Sequence, residues 1–206
     1  MTHTIHRSLS IQPGDFVLNI LSVKGINREG SGDKIREVVR RLSPLGVLSF
    51  GNPDDGCTLR VPAEDVLRKL HDGSNLHMVF GDEQKLKEAI GILREMDTGL
   101  SVVLTGPMGA TDSIIRELGL KVDSVHFGAG ILKKPPLHPD VQAVVSLCGH
   151  MRVSPTLVEQ MSARIAAGEQ DAAEAAAKIG RVCRCGCFNT AVAAQRVTRL
   201  ANGRQR

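Results

Sequence analysis

Apolar runs of strand length alternate with amphipathic stretches of helical period over the first two thirds of the chain. Residues 14–25 carry Phe16, Val17, Leu18, Ile20, Leu21 and Val23 between two glycines, which predicts a largely buried strand. Ser31-Gly-Asp-Lys34 then opens a helix with Ile35, Val38, Val39 and Leu42 on one face, closed by Pro44 and Gly46. Val47–Phe50 reads as a second strand, and the turn Asn52-Pro-Asp-Asp-Gly56 leads into Cys57–Val61, so these runs suit a hairpin. A short helix is expected from Pro62 to Leu70, a strand over Leu76–Phe80, and a helix from Asp82 with Leu86, Ala89, Ile90, Leu93 and Met96 on one face. Ser101–Thr105 predicts a buried strand, Asp112–Leu118 a helix and Val122–Ile131 another strand.

The proline-dense stretch Lys133-Lys-Pro-Pro-Leu-His-Pro139 breaks this alternation and marks a domain boundary. Residues 1–139 are therefore expected to form an α/β or α+β layered domain with undetermined strand order, and residues 140–206 a small all-α, cysteine-rich module. Val141–Leu147 reads as a last strand that delivers the chain to Cys148. Ser154-Pro155 starts a helix with Leu157, Val158, Met161 and Ile165 as its stripe, stopped by Gly168. Asp171 with Glu174 makes a capping-box opening for an alanine-rich helix ending at Gly180. Asn189-Thr190 caps a terminal helix carrying Val192, Val197 and Leu200.

Composition narrows the chemistry. The 206 residues include five cysteines, an odd number that is clustered rather than spread in pairs, so ligation in a reducing compartment is favoured over a disulfide framework. Met1–Ser10 has no apolar core, and no run approaches the length of a membrane span, which together predict a cytoplasmic protein without membrane association. Aromatic content is 2% with no Trp or Tyr, leaving few stacking platforms and disfavouring nucleic acid as a partner. The net charge of +4 is uneven: residues 141–206 hold 9 Lys/Arg against 4 Asp/Glu. A basic surplus beside the cysteines suits either a negatively charged thiolate cluster or an acidic partner, and a solvated helix face is the competing reading.

Three of the five cysteines lie in Cys183-Arg-Cys-Gly-Cys187. Cys183 and Cys185 alternate in what reads as an extended loop, and Gly186 permits a turn that aims Cys187 inward. Two helices folded back as a hairpin would return the chain to Cys148-Gly149-His150, so the two segments are candidate walls of one metal or iron–sulfur site. The helix opening at Asn189 directs its N-terminal amides toward the loop, which favours thiolate over thiol.

Cys148-Gly149, about thirty residues of paired helices and then Val182-Cys183-Arg184-Cys185-Gly186 resemble the helical [2Fe-2S] domain of the molybdenum hydroxylases, the xanthine dehydrogenase and aldehyde oxidoreductase group. That family's pattern is Cys-Gly-x-Cys, a helical hairpin, then Cys-Arg-Cys. The resemblance covers residues 146 to about 200 and implies a local fold and cofactor, with Cys148, Cys183 and Cys185 as ligands. Met151 stands where the family has its second cysteine; Cys187, and after it His150, are the candidate replacements. Ligation by three cysteines would leave one iron of a [4Fe-4S] cluster open.

The leading expectation is an iron–sulfur protein, [2Fe-2S] or [4Fe-4S], acting in electron transfer, redox sensing or cluster handling, with a protein redox partner or oligomer. Zinc is the competing metal, with Cys148, His150, Cys183 and Cys185 as a Cys₃His set in a module that docks an acidic protein or nucleic acid. A cluster-dependent enzyme is the third reading, its pocket near Gly106 and His126. Gly106-Pro-Met-Gly-Ala-Thr-Asp112 reads first as an ordinary strand-to-helix turn and second as an anion cradle. His126 and His77 read as structural histidines, Cys57 as a small buried hydrophobe, and Gly25–Lys34 lacks the lysine spacing of a nucleotide-hydrolysing loop.

Overall fold

The computed structural model describes Arg7, residues 11–125 and residues 136–204. The chain divides into two compact units. The first comprises Pro13–Val125 together with Arg184–Gly186, and the second comprises Met1–Gln12, His126–Cys183 and Cys187–Arg206. Among the described residues the chain forms a five-stranded antiparallel sheet and eight α-helices, an α+β architecture.

The sheet unit runs β1 (Phe16–Leu21), α1 (Ser31–Leu42), a 3-10 turn (Ser43–Leu45), β2 (Ser49–Asn52), β3 (Gly56–Cys57), α2 (Ala63–Lys69), β4 (Leu76–Phe80), α3 (Glu83–Met96), β5 (Ser101–Thr105) and α4 (Met108–Glu117). Its strand order is β3-β2-β4-β1-β5, with every pairing antiparallel. β1 and β2 are joined through α1 yet separated in the sheet by β4, the split βαβ connection. The expected hairpin exists as a short one, Gly51 opposite Cys57 and Asn52 opposite Gly56.

Strand register sorts the side chains onto two faces. Leu18 opposite Met78, Ile20 opposite Leu76 and Phe16 opposite Phe80 point to one side. There they join Ile35, Val38, Val39 and Leu42 of α1 and Leu86, Ala89, Ile90 and Leu93 of α3 in the main core. The opposite face carries Val17, Asn19, Ser49, His77 and Val79, and these too are buried. Burial on both faces explains why β1 reads as a continuous apolar run rather than an alternating one. β5 corrects the sequence reading: it is an edge strand whose first residues, Ser101 and Val102, are exposed.

Asp82 accepts from the Lys85 amide at 2.8 Å and caps α3 as its position predicts. α1 is capped from outside its own sequence. The Asp72 carboxylate accepts from the amides of Gly30 and Gly32, each at 2.9 Å, and these bonds hold its pKa below the usual value.

The described elements of the second unit are α5 (Pro139–Ser146), α6 (Pro155–Ala166), α7 (Ala172–Gly180) and α8 (Thr190–Arg204). Residues Val141–Leu147 are thus a helix and not the expected strand. Pro139 at its first turn and the His138 ring accepting from the Asp140 amide start it. Its apolar residues are buried nearly all round, which erases the one-sided period that would have revealed it. Ser154, Asp171 and Asn189 cap α6, α7 and α8 through the amides of Leu157, Glu174 and Val192. α8 packs on the other three helices, and Arg196 donates to Asp140 at 2.8 Å to tie it to α5.

Of the strand expected over Val122–Ile131, the described residues 122–125 are irregular and the rest lie outside the described residues, as do residues 133–135 of the proline-dense stretch.

Candidate metal centre

One row of residues crosses the second face of the sheet. Cys57 on β3 pairs with Gly51 on β2, Gly51 with His77 on β4, His77 with Asn19 on β1, and Asn19 with Val103 on β5. Directly opposed residues in antiparallel strands share a face, with Cβ atoms roughly 4.5–5.5 Å apart. Gly51 stands in this row between a thiol and an imidazole. It has φ 141°, and a Cβ there would stand 2.2 Å from the Gly56 carbonyl oxygen, so only glycine fits.

The segment Arg184–Gly186 belongs to the sheet unit and meets this face. Ser49 Oγ donates to the Gly186 carbonyl at 2.7 Å. Gly186 has φ 76°, and a Cβ on it would lie 3.0 Å from the Phe50 carbonyl carbon, 3.1 Å from Cys57 Cβ and 3.2 Å from the Gly51 nitrogen. Two glycines thus let two backbones approach where side chains would hold them apart. The Gly186 amide donates to the Cys57 sulfur, as does that of Leu59, while burial pushes the Cys57 thiol pKa up.

His77 is fixed by the same segment. Its Nδ1 lies 2.8 Å from the Cys185 carbonyl oxygen, which only accepts, so Nδ1 carries the proton and Nε2 keeps a lone pair. A backbone carbonyl orienting one ring nitrogen while the other is available to a cation is the common arrangement of metal-binding histidines. The ligand atoms of His77 and Cys185 lie within 4.8 Å of each other, and the sulfur of Cys187, two residues along the chain, is within the same distance of Cys185. This histidine and two cysteines can hold a metal ion. All three are buried, at 2% exposure or less.

The other two cysteines form a second donor pair. The Cys148 and Cys183 thiols are hydrogen-bonded neighbours, and both are fully buried. That contact, with burial, pushes the Cys148 pKa far up, against the opposing amides of Arg152 and His150, which donate to its sulfur. The Cys148 thiol therefore favours its protonated form, and a cation must displace that proton to bind. Arg7 has a fully buried guanidinium that donates to the Cys187 carbonyl, which sets a cation beside the end of the cysteine loop.

Sequence reasoning named the four loop and hairpin cysteines but assigned His77 and Cys57 to the ordinary core. Both are indeed buried, yet His77 lies with Cys185, and Cys57 lies under Gly186. Two-sided burial of β4 hid the signal: in Leu76-His77-Met78-Val79-Phe80 the core-facing residues are Leu76, Met78 and Phe80, which puts His77 on the other face. His150 is exposed, and Met151 is 41% exposed with φ 53°. His126 lies outside the described residues. The Gly106 turn opens α4 after Pro107, and a cavity of about 220 Å³ beside it is lined by Phe16, Pro107, Ala110, Asp82 and Glu83. Two carboxylates at its wall disfavour a bound anion.

No helix among the described residues is long and apolar enough to cross a membrane. No family model, curated protein or solved structure matches this chain.

Proposed function

We propose that the loop 183–187 carries an iron–sulfur cluster and that the protein serves electron transfer, redox sensing or cluster handling. The observation that carries this reading is the burial of all five cysteines, with Cys148 beside Cys183 and Cys185 beside Cys187, together with a histidine whose tautomer suits ligation. Thiolates are the ligands that soft metals and iron–sulfur clusters select. The choice of iron–sulfur over zinc rests on the resemblance of residues 146–200 to the helical [2Fe-2S] domain described above. A bound cluster would accept and release single electrons, and the buried Arg7 guanidinium would offset the negative charge of thiolates. His77 would give the cluster a nitrogen ligand, which raises the potential relative to all-thiolate ligation.

Anaerobic purification with iron and sulfide supplied should yield a brown protein with visible charge-transfer absorption and stoichiometric acid-labile sulfide. Cys183→Ala and Cys185→Ala should bleach it. A colourless protein holding stoichiometric zinc would overturn the iron–sulfur reading in favour of the second one. That second reading is a zinc-stabilised interaction module, and the combination of one imidazole with thiolates supports it, since structural zinc takes such mixed donor sets.

A further inference from the structure

We propose that Asn19 is a positioning residue for the bound group, its side-chain amide donating from Nδ2 to an inorganic sulfide of the cluster. This rests on the iron–sulfur reading above. Asn19 sits in the middle of β1, an interior strand of the sheet, with 0% exposure, and neither amide atom has a hydrogen-bond partner among the described residues. A buried amide in that condition is costly, and a leucine of similar size would fill the position without the cost. Its place accounts for an amide at this position. Asn19 is the cross-strand partner of His77 on the same sheet face, the face that receives Arg184–Gly186. A group bound through His77 Nε2 carries its non-protein ligands within reach of the residue beside the imidazole. Protein thiolates are fixed by the chain, whereas a sulfide accepts a hydrogen bond from any donor that faces it. An amide N–H···S bond strengthens as the cluster gains an electron, so it stabilises the reduced state and raises the potential. The step involves one electron, with no bond to the protein made or broken.

The test compares the anaerobically reconstituted wild-type protein with Asn19→Leu and Asn19→Ala. Both variants are expected to retain iron and sulfide while their midpoint potential moves lower. In wild type reconstituted in D₂O, the resonance Raman bands of bridging-sulfide stretching should shift, and in the variants the shift should shrink. Unchanged potentials in variants with intact clusters would overturn the role of Asn19 and leave the cluster standing. A wild-type spectrum insensitive to D₂O would overturn it even if neither variant folds. A wild-type protein that takes up no iron and sulfide would overturn the underlying reading, and Asn19's role with it.

Discussion

Gly186→Ala tests whether the cysteine loop depends on backbone contact with the sheet. The substitution combines two costs that a second glycine separates. Gly25 has φ 79° with open space around its missing Cβ, and Gly186 has φ 76° with three atoms between 3.0 and 3.2 Å. Left-handed backbone alone costs an alanine about 1–2 kcal/mol, and this should be the whole effect of Gly25→Ala. At Gly186 the neighbours are the backbone of Phe50 and Gly51 and the first carbon of Cys57, none of which yields as a flexible side-chain tip would. Overpacking of that kind adds about 1–3 kcal/mol, so Gly186→Ala should cost about 2–5 kcal/mol in all. Urea denaturation of both variants, read as the shift in midpoint at constant slope, measures the difference. Displacing the segment also moves the Cys185 carbonyl that orients His77, so metal affinity should fall by about 10–100-fold. If Gly186→Ala were no more destabilising than Gly25→Ala and bound metal equally well, the close approach of loop and sheet would be wrong.

Two further outcomes follow from the units themselves. The Asp72 carboxylate is held below its usual pKa by the amides of Gly30 and Gly32, so its contribution is complete above the ordinary aspartate range and disappears as pH falls through the depressed folded value. Asp72→Asn should lower stability at neutral pH and flatten the acid limb of the stability curve; an unchanged acid limb would contradict the cap. Asp140→Ala removes the partial burial partner of Arg196 and should cost about 2–3 kcal/mol, with a less than additive Asp140→Ala/Arg196→Ala double mutant. Strict additivity in thermal or urea unfolding would show that the pair contributes nothing.

Much of the local structure was legible because it is written in short-range chemistry. Asp82, Ser154, Asp171 and Asn189 each announce a helix start, and each caps one. Where burial surrounds an element, the period that distinguishes helix from strand is lost, and α5 reads as a strand in sequence for that reason. The α1 cap was hidden differently, since Asp72 lies far along the chain from the amides it accepts. For the candidate centre, cysteine spacing drew attention to the loop and to Cys148. The row Cys57, Gly51, His77, Asn19 depends on strand register across four strands, which spacing in sequence does not encode. Gly186 reads in the sequence as a turn former, and the close backbone contact it shares with Gly51 emerges only when the sheet is assembled.

The most direct test of the metal centre is X-ray absorption at the edge of whatever metal the anaerobically isolated protein retains. Ligation by the buried cysteines and His77 predicts a dominant sulfur shell at about 2.3 Å with a nitrogen contribution at about 2.0–2.1 Å that His77→Leu removes. A first shell made only of oxygen and nitrogen, unchanged in Cys185→Ala, would contradict it.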